Sequence, residues 1–320
     1  MTEPTTFWIA FNAFVVLMLV LDLKVFHRKS HVIEFKEALA WSAFWVSLAV
    51  LFAIGIYLWW PEPELRKTKT LEFVTGYLIE ESLSVDNLFV FLLIFSYFKV
   101  PRLYQHKVLY WGIIGALVMR IAFILLGVAL IRQFHWIIYI FGALLIYSGV
   151  KLFHQEEAEI HPEKNPLLRL FRKFYPTTKR YYNGHFFIRK RGIWIATPMF
   201  LVLLVVESTD VLFAVDSIPA ILAISHDPFI VYTSNVFAIL GLRSIYFALA
   251  GVMEIFHYLH YGLSVILIFI GAKMIISGFF KIPTGVALAV VAVVLGISIV
   301  ASLVKPHKKA KFPHVEPSEE

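Results

Sequence analysis

Runs of about 20 mostly apolar residues follow one another along nearly the whole chain, each long enough to cross the hydrocarbon core of a bilayer. Backbone in lipid has to satisfy its own N–H and C=O groups, so such runs form helices. The pattern predicts an all-α fold, a polytopic transmembrane bundle. Nine spans are read at 6–26, 38–60, 71–98, 107–131, 134–153, 192–216, 229–253, 259–280 and 283–304. Composition agrees: 16% of the 320 residues are charged, against roughly a quarter in a soluble domain. The opening MTEPTT lacks the basic segment of a signal peptide, so the first run is expected to stay as a helix.

Charge in the connections sets the expected topology. With the N-terminus outside, inner segments hold 21 Lys and Arg and outer ones 5, which predicts a cytoplasmic C-terminus in the cell inner membrane. The net charge of +7 is thereby explained without nucleic acid. One outer loop, PEPELRKTKT, dissents with Arg66, Lys67 and Lys69. The long loop 154–191 contains LLRLFRKF, with amphipathic helical spacing, and YYNGHFFIRKRG, where Asn-Gly could turn a short hairpin. It reads either as an ordinary positive-inside loop or as a surface for anionic lipid over 164–191. The chain has no cysteine, which excludes disulfides, thiolate metal sites and thiol redox chemistry.

Three matches in the same order suggest an internal repeat. FGALLIYSG (141–149) matches IGAKMIISG (270–278), GALVMRIAFILLG (115–127) matches GLRSIYFALAG (241–251), and ESLSVDNLFVF (81–91) matches ESTDVLFAV (207–215). Spans 3–5 and 6–8 are then copies of a three-helix unit. An odd number of spans inverts the second copy, and inverted repeats in transporters place a polar site near the midplane between them. The expected organisation is two leading helices (1–60), repeat 1 (71–153), the basic loop (154–191), repeat 2 (192–281), a last helix (283–304) and a solvated tail (305–320).

The acids fall at matched places. Span 3 holds Glu80, Glu81, Asp86 and Asn87, and span 6 holds Glu207, Asp210 and Asp216. A charge at the bilayer centre costs about 2.5–3.5 kcal/mol on insertion scales, so six acids need compensation. Arg120, Arg243 and Lys273 are the deep bases, expected to balance charge or gate the site. They neutralise three acids, which leaves protons or a cation for the rest. Oxygen donors without Cys or neighbouring His suit a hard divalent ion such as Mn2+, Mg2+ or Ca2+ rather than Zn2+. Glu207 and Asp210 share a helix face at i,i+3. Asp216 lies half a turn from Glu207, so its joining them requires a helix break, for which Pro219 is the candidate. His257 and His260 read as interfacial. An inert ion-pair network and an intramembrane aspartyl protease are the competing readings. The protease needs two carboxyls sharing a proton, and four further acids crowd this site.

YLIEESLSVDNLFVF, VESTDVLFAVDSIPAI and SNVFAILGLRSIYF resemble the TerC family of integral membrane proteins over nearly the whole chain, most closely its Alx branch. That resemblance implies a membrane protein linked to tellurium resistance, to redox modulation or to Mn2+ export. It places Glu80, Asp86, Glu207, Asp210 and Asp216, with Asn87, at the family's acidic positions, and ranks Glu81 lower. No enzymatic role and no prosthetic group are expected. The function expected is export of divalent cations, Mn2+ foremost. The alternative is a non-transporting stress-response protein whose acids form a structural network.

Overall fold

The computed structural model describes residues 5–24, 35–134, 136–154, 165–190, 192–249, 258–280 and 282–304, with the side chains of 22–24, 86 and 89 left out. The expected tail at 305–320, His257, and the Asp86 side chain therefore lie outside the described residues. Ten α-helices follow in order: α1 (Thr5–Lys24), α2 (Phe35–Trp59), α3 (Arg66–Tyr97), α4 (Arg102–Gln133), α5 (Ile137–His154), the short α6 (Pro166–Phe174), α7 (Pro198–Leu222), α8 (Pro228–Leu249), α9 (Leu259–Ile276) and α10 (Thr284–Val304). A hairpin of β1 (Phe187–Lys190) and β2 (Ile193–Ala196) sits between α6 and α7. Seven helices among the described residues, α2, α4, α5 and α7 to α10, are long and apolar enough to cross a membrane. α3 has the length, but Glu72, Glu80, Glu81 and Asp86 interrupt its apolar character.

Two expectations are corrected. The sixth span, read at 192–216, is shifted: residues 193–196 are strand, and the helix starts at Pro198 after the extended Thr197. Proline at a first helical turn forfeits no bond, so it favours a start there. Asn183-Gly184 does turn the chain, both residues at positive φ with His185 N–H donating to Tyr182 O. The hairpin, however, turns beyond Lys190, with Lys190 opposite Ile193 and Gly192 at φ +81°.

Helices α3, α4 and α5 each pack on α7, α8 and α9 respectively, and every pair runs antiparallel. Ser225, just past α7, donates to Glu72 near the start of α3 at 2.6 Å. Tyr246 late in α8 donates to Gln105 early in α4 at 3.0 Å. Between α5 and α9, a Cβ on Gly142 would meet Gly271 O and one on Gly271 would meet Gly142 O, while Ser264 donates to Gly149 O at 2.5 Å. Small residues let helices approach this closely where lipid offers no hydrophobic drive.

The interior has two apolar zones. One gathers Phe11, Phe73, Phe229 and Phe237 from α1, α3 and α8. The other gathers Phe91, Phe95, Leu109, Val202 and Tyr246. Glu80 of α3 falls between Ile79 of the first zone and Leu88 of the second, and Asp210 of α7 between Ala214 of the first and Val206 of the second.

Candidate functional site: buried carboxylates around Arg120

Arg120 organises the centre. It lies within α4 and is 1% exposed. Its Nη1 is 2.6 Å from Glu80 Oε1 and its Nη2 is 3.9 Å from Asp210 Oδ1. Nη1 also donates to Ser217 Oγ and Asn235 Oδ1, both at 2.8 Å. Asn235 Nδ2 donates in turn to Val231 O at 2.8 Å, which fixes the amide so that its oxygen faces the guanidinium. Three helices thus meet at one side chain of α4: Glu80 from α3, Asp210 and Ser217 from α7, and Asn235 from α8.

The carboxylates are only partly satisfied. Glu80 is fully buried, yet its Oε2 has no hydrogen-bond partner among the described residues, nor do Glu81 Oε2, Asp210 Oδ2 and Arg120 Nε. An orphaned buried oxygen costs about 1–3 kcal/mol, more when charged, so such a cluster calls for a further partner. Ser84 and Asn87 are buried one and two turns along α3 from Glu80 and add oxygen to the same stripe.

Glu207 lies beside this group, one turn before Asp210. Its carboxylate rests on the bare backbone of Gly115 in α4, where any Cβ would collide with it. Glu207 and Asp210 border a small cavity closed by Phe91, Leu109, Ile113 and Leu242. Its room is about 10 Å³, the space of a single water or small ion.

The remaining candidates are placed elsewhere. α7 runs without interruption through Pro219, so the predicted break is wrong. Pro219 sits in the last turn, where one lost bond to Val215 O is offset by continuing bonds, Ala223 N to Pro219 O at 3.0 Å and Ser225 N to Ile221 O at 3.0 Å, and by complete burial of Ala220 and Leu222. On an unbroken helix Asp216 cannot face Glu207. It turns to α5 and accepts from Ser148 Oγ at 2.6 Å. Lys273 does not reach the carboxylates around Arg120. It donates to Ala223 O at 3.1 Å and caps the end of α7, where a cation is favoured by the helix dipole. Arg243 is buried in α8, 6% exposed. Among the described residues no three of Asp, Glu and His already form a cage for a metal ion. The guanidinium of Arg120 stands between Glu80 and Asp210 instead.

Three contributors escaped the sequence reading. Asn235 carries the same signal as the acids, a polar side chain in a long apolar run, but at neutral charge it is weaker. Gly115 carries no signal without its partner. The third is a second polar cluster near the start of α3. Lys69 bridges Glu72 at 3.2 Å and Asp227 at 2.8 Å, Asp227 Oδ1 accepts from Phe229 N and Ile230 N at the start of α8, and Arg66 donates to Trp60 O. Two of the three bases in the dissenting loop are thus held by local partners.

The architecture is that of a multi-pass integral membrane protein with a buried acidic centre. The sequence profile of the integral membrane protein TerC family matches residues 65–310, and the chain belongs to that family. A membrane protein of Myxococcus xanthus is 56% identical over 301 residues, covering 93% of this chain and 92% of its own. A protein of Escherichia coli (strain K12), provisionally named membrane-bound redox modulator Alx, is 50% identical over 299 residues, with 92% of each chain covered. A Rickettsia bellii membrane protein is 41% identical over 298 residues, 93% of this chain and 97% of its own. No solved structure matches.

Proposed function

We propose that the chain is a secondary transporter that exports divalent metal cations, Mn2+ foremost, and is not an enzyme. The observation that carries this reading is the Arg120 cluster. One fully buried guanidinium pairs with two carboxylates from different helices, and among the described residues oxygens of Glu80 and Asp210 have no hydrogen-bond partner. In this reading Arg120 stands in for the cation when the site is empty. Displacing it frees Glu80 and Asp210, with Glu207, Asn87 and Asp86 of the same helices, to offer the all-oxygen set that hard divalent ions prefer.

The antiparallel pairing of α3 with α7, α4 with α8 and α5 with α9 supports two inverted three-helix units, with Gly142 against Gly271 near their axis. Movement of one unit on the other then opens the site alternately to each side. The contacts to be broken differ at the two ends: Lys69–Glu72–Asp227 at one, and apolar Phe91, Leu109 and Leu242 at the other. The N-terminus is taken as outside and the C-terminus as cytoplasmic, in the inner membrane, on the loop charges.

The competing reading is a membrane stress-response protein in which Arg120 and its partners are only a tie. Its support is that Arg120 already pairs with Glu80 and Asp210 and donates to Ser217 and Asn235. Titration of the purified protein with Mn2+, followed by loss of the free-ion paramagnetic signal, separates the two. Transport requires saturable binding that Asp210→Asn and Glu207→Gln weaken; a purely structural tie requires none.

A further inference from the structure

Residues 165–196 contain eight Lys or Arg and no Asp or Glu. Loop charge that only sets topology needs no fixed structure, but this segment is folded and pinned. Asn165 Oδ1 accepts from Leu167 N and Leu168 N and so caps α6, while its Nδ2 donates to Ser208 Oγ of α7 at 2.7 Å. Leu168 is buried, 1% exposed. Tyr181 donates to Phe98 O at the end of α3, and Lys107 of α4 donates to Gly184 O, both at 2.7 Å.

The exposed side chains of this fixed module are of two kinds. Arg172, Lys173, Arg189 and Lys190 are exposed. Phe174, which follows Lys173, is 75% exposed, and Trp194, which pairs with Arg189 across the hairpin, is 55% exposed. Exposed cations alone would suit water, and exposed aromatics alone would suit lipid tails. Together, at the ends of membrane-spanning helices, they suit the headgroup layer, where aromatic rings anchor and cations meet phosphate.

We infer that the module α6–β1–β2 is a docking surface for anionic phospholipid headgroups, held against the ends of α3 and α4 and the side of α7. The occupant is the surrounding bilayer itself, because the module is tied at three points to helices that the bilayer surrounds, and its charge is wholly of one sign. The inference does not depend on the transport reading.

The test is amide hydrogen exchange on the full chain in nanodiscs of phosphatidylcholine alone or with phosphatidylglycerol added. Amides of 166–174 and 187–196 are expected to exchange about tenfold more slowly in the anionic discs, and high salt should erase the difference. The variant Arg172→Gln/Lys173→Gln/Arg189→Gln/Lys190→Gln should keep the wild-type rate in neutral discs, which reports an intact fold, and lose the anionic effect. Should that variant lose its fold, the wild-type lipid and salt comparisons decide alone. Equal wild-type rates in the two lipids overturn the proposal. So does protection that appears only when polyglutamate or RNA is added to neutral discs, since the partner is then a soluble polyanion.

Discussion

Replacing Arg120 by Gln removes a side chain that meets α3, α7 and α8 together at the buried centre. The residue is 1% exposed and Glu80 is 0% exposed, so water cannot substitute for the lost charge. Breaking a buried ion pair by removing one partner costs about 3–5 kcal/mol. Gln can retain a neutral contact to Ser217 or Asn235, so the lower end, about 3 kcal/mol, is expected. Glu80→Gln strands the guanidinium instead and should cost a similar amount. The double variant leaves no unpaired charge between these two positions, and its loss should fall short of the sum by about 2 kcal/mol. The assay is reversible denaturant unfolding in mixed micelles for the wild type, both single variants and the double. If the losses add to within about 0.5 kcal/mol, the two groups are not coupled and Arg120 is not standing in for a cation. A second readout follows from linkage. Mn2+ at 100 times its dissociation constant should restore about 2.7 kcal/mol to Arg120→Gln, and less to the wild type, where the guanidinium competes.

Gly115→Ala should place a methyl on the Glu207 carboxylate, lowering stability by about 1–3 kcal/mol and weakening Mn2+ binding in the same titration; unchanged affinity would remove Glu207 from the site. Pro219→Ala should restore one bond to Val215 O in an already continuous helix, so melting temperature should hold or rise and Mn2+ affinity should not change. A fall in affinity would revive the broken-helix idea. Gly142→Val and Gly271→Val should each destabilise the α5–α9 contact to a similar degree, since each glycine faces the other's carbonyl; strongly unequal losses in the same unfolding assay would argue against a symmetric contact.

The membrane bundle was legible because lipid leaves backbone few choices, and length plus apolarity name the helices directly. Acids in apolar runs were legible for the same reason: Glu80, Glu207 and Asp210 stand out against their neighbours. What failed turned on direction rather than identity. Pro219 reads as a breaker, but near a helix end the lost bond is small beside the packing of Ala220 and Leu222. With α7 continuous, geometry alone sends Asp216 to Ser148. Lys273 reads as a counter-charge for the acids, yet it sits far enough along α9 to meet the carbonyl end of α7. Gly115 could not be singled out, because a glycine that matters by what leans on it has no signature of its own. The loop's charge was legible, whereas its fold was not: Asn183-Gly184 reads as the hairpin tip, but register places the tip beyond Lys190, at Gly192.

The most direct test is Mn2+ flux into inverted membrane vesicles of known orientation, with and without a proton gradient. Wild-type protein should load the lumen with Mn2+, and Asp210→Ala, inserted at equal abundance, should not. Full Mn2+ accumulation by a well-expressed Asp210→Ala variant would contradict the account, because a carboxylate that contacts Arg120 at the buried centre would then have no part in moving the ion.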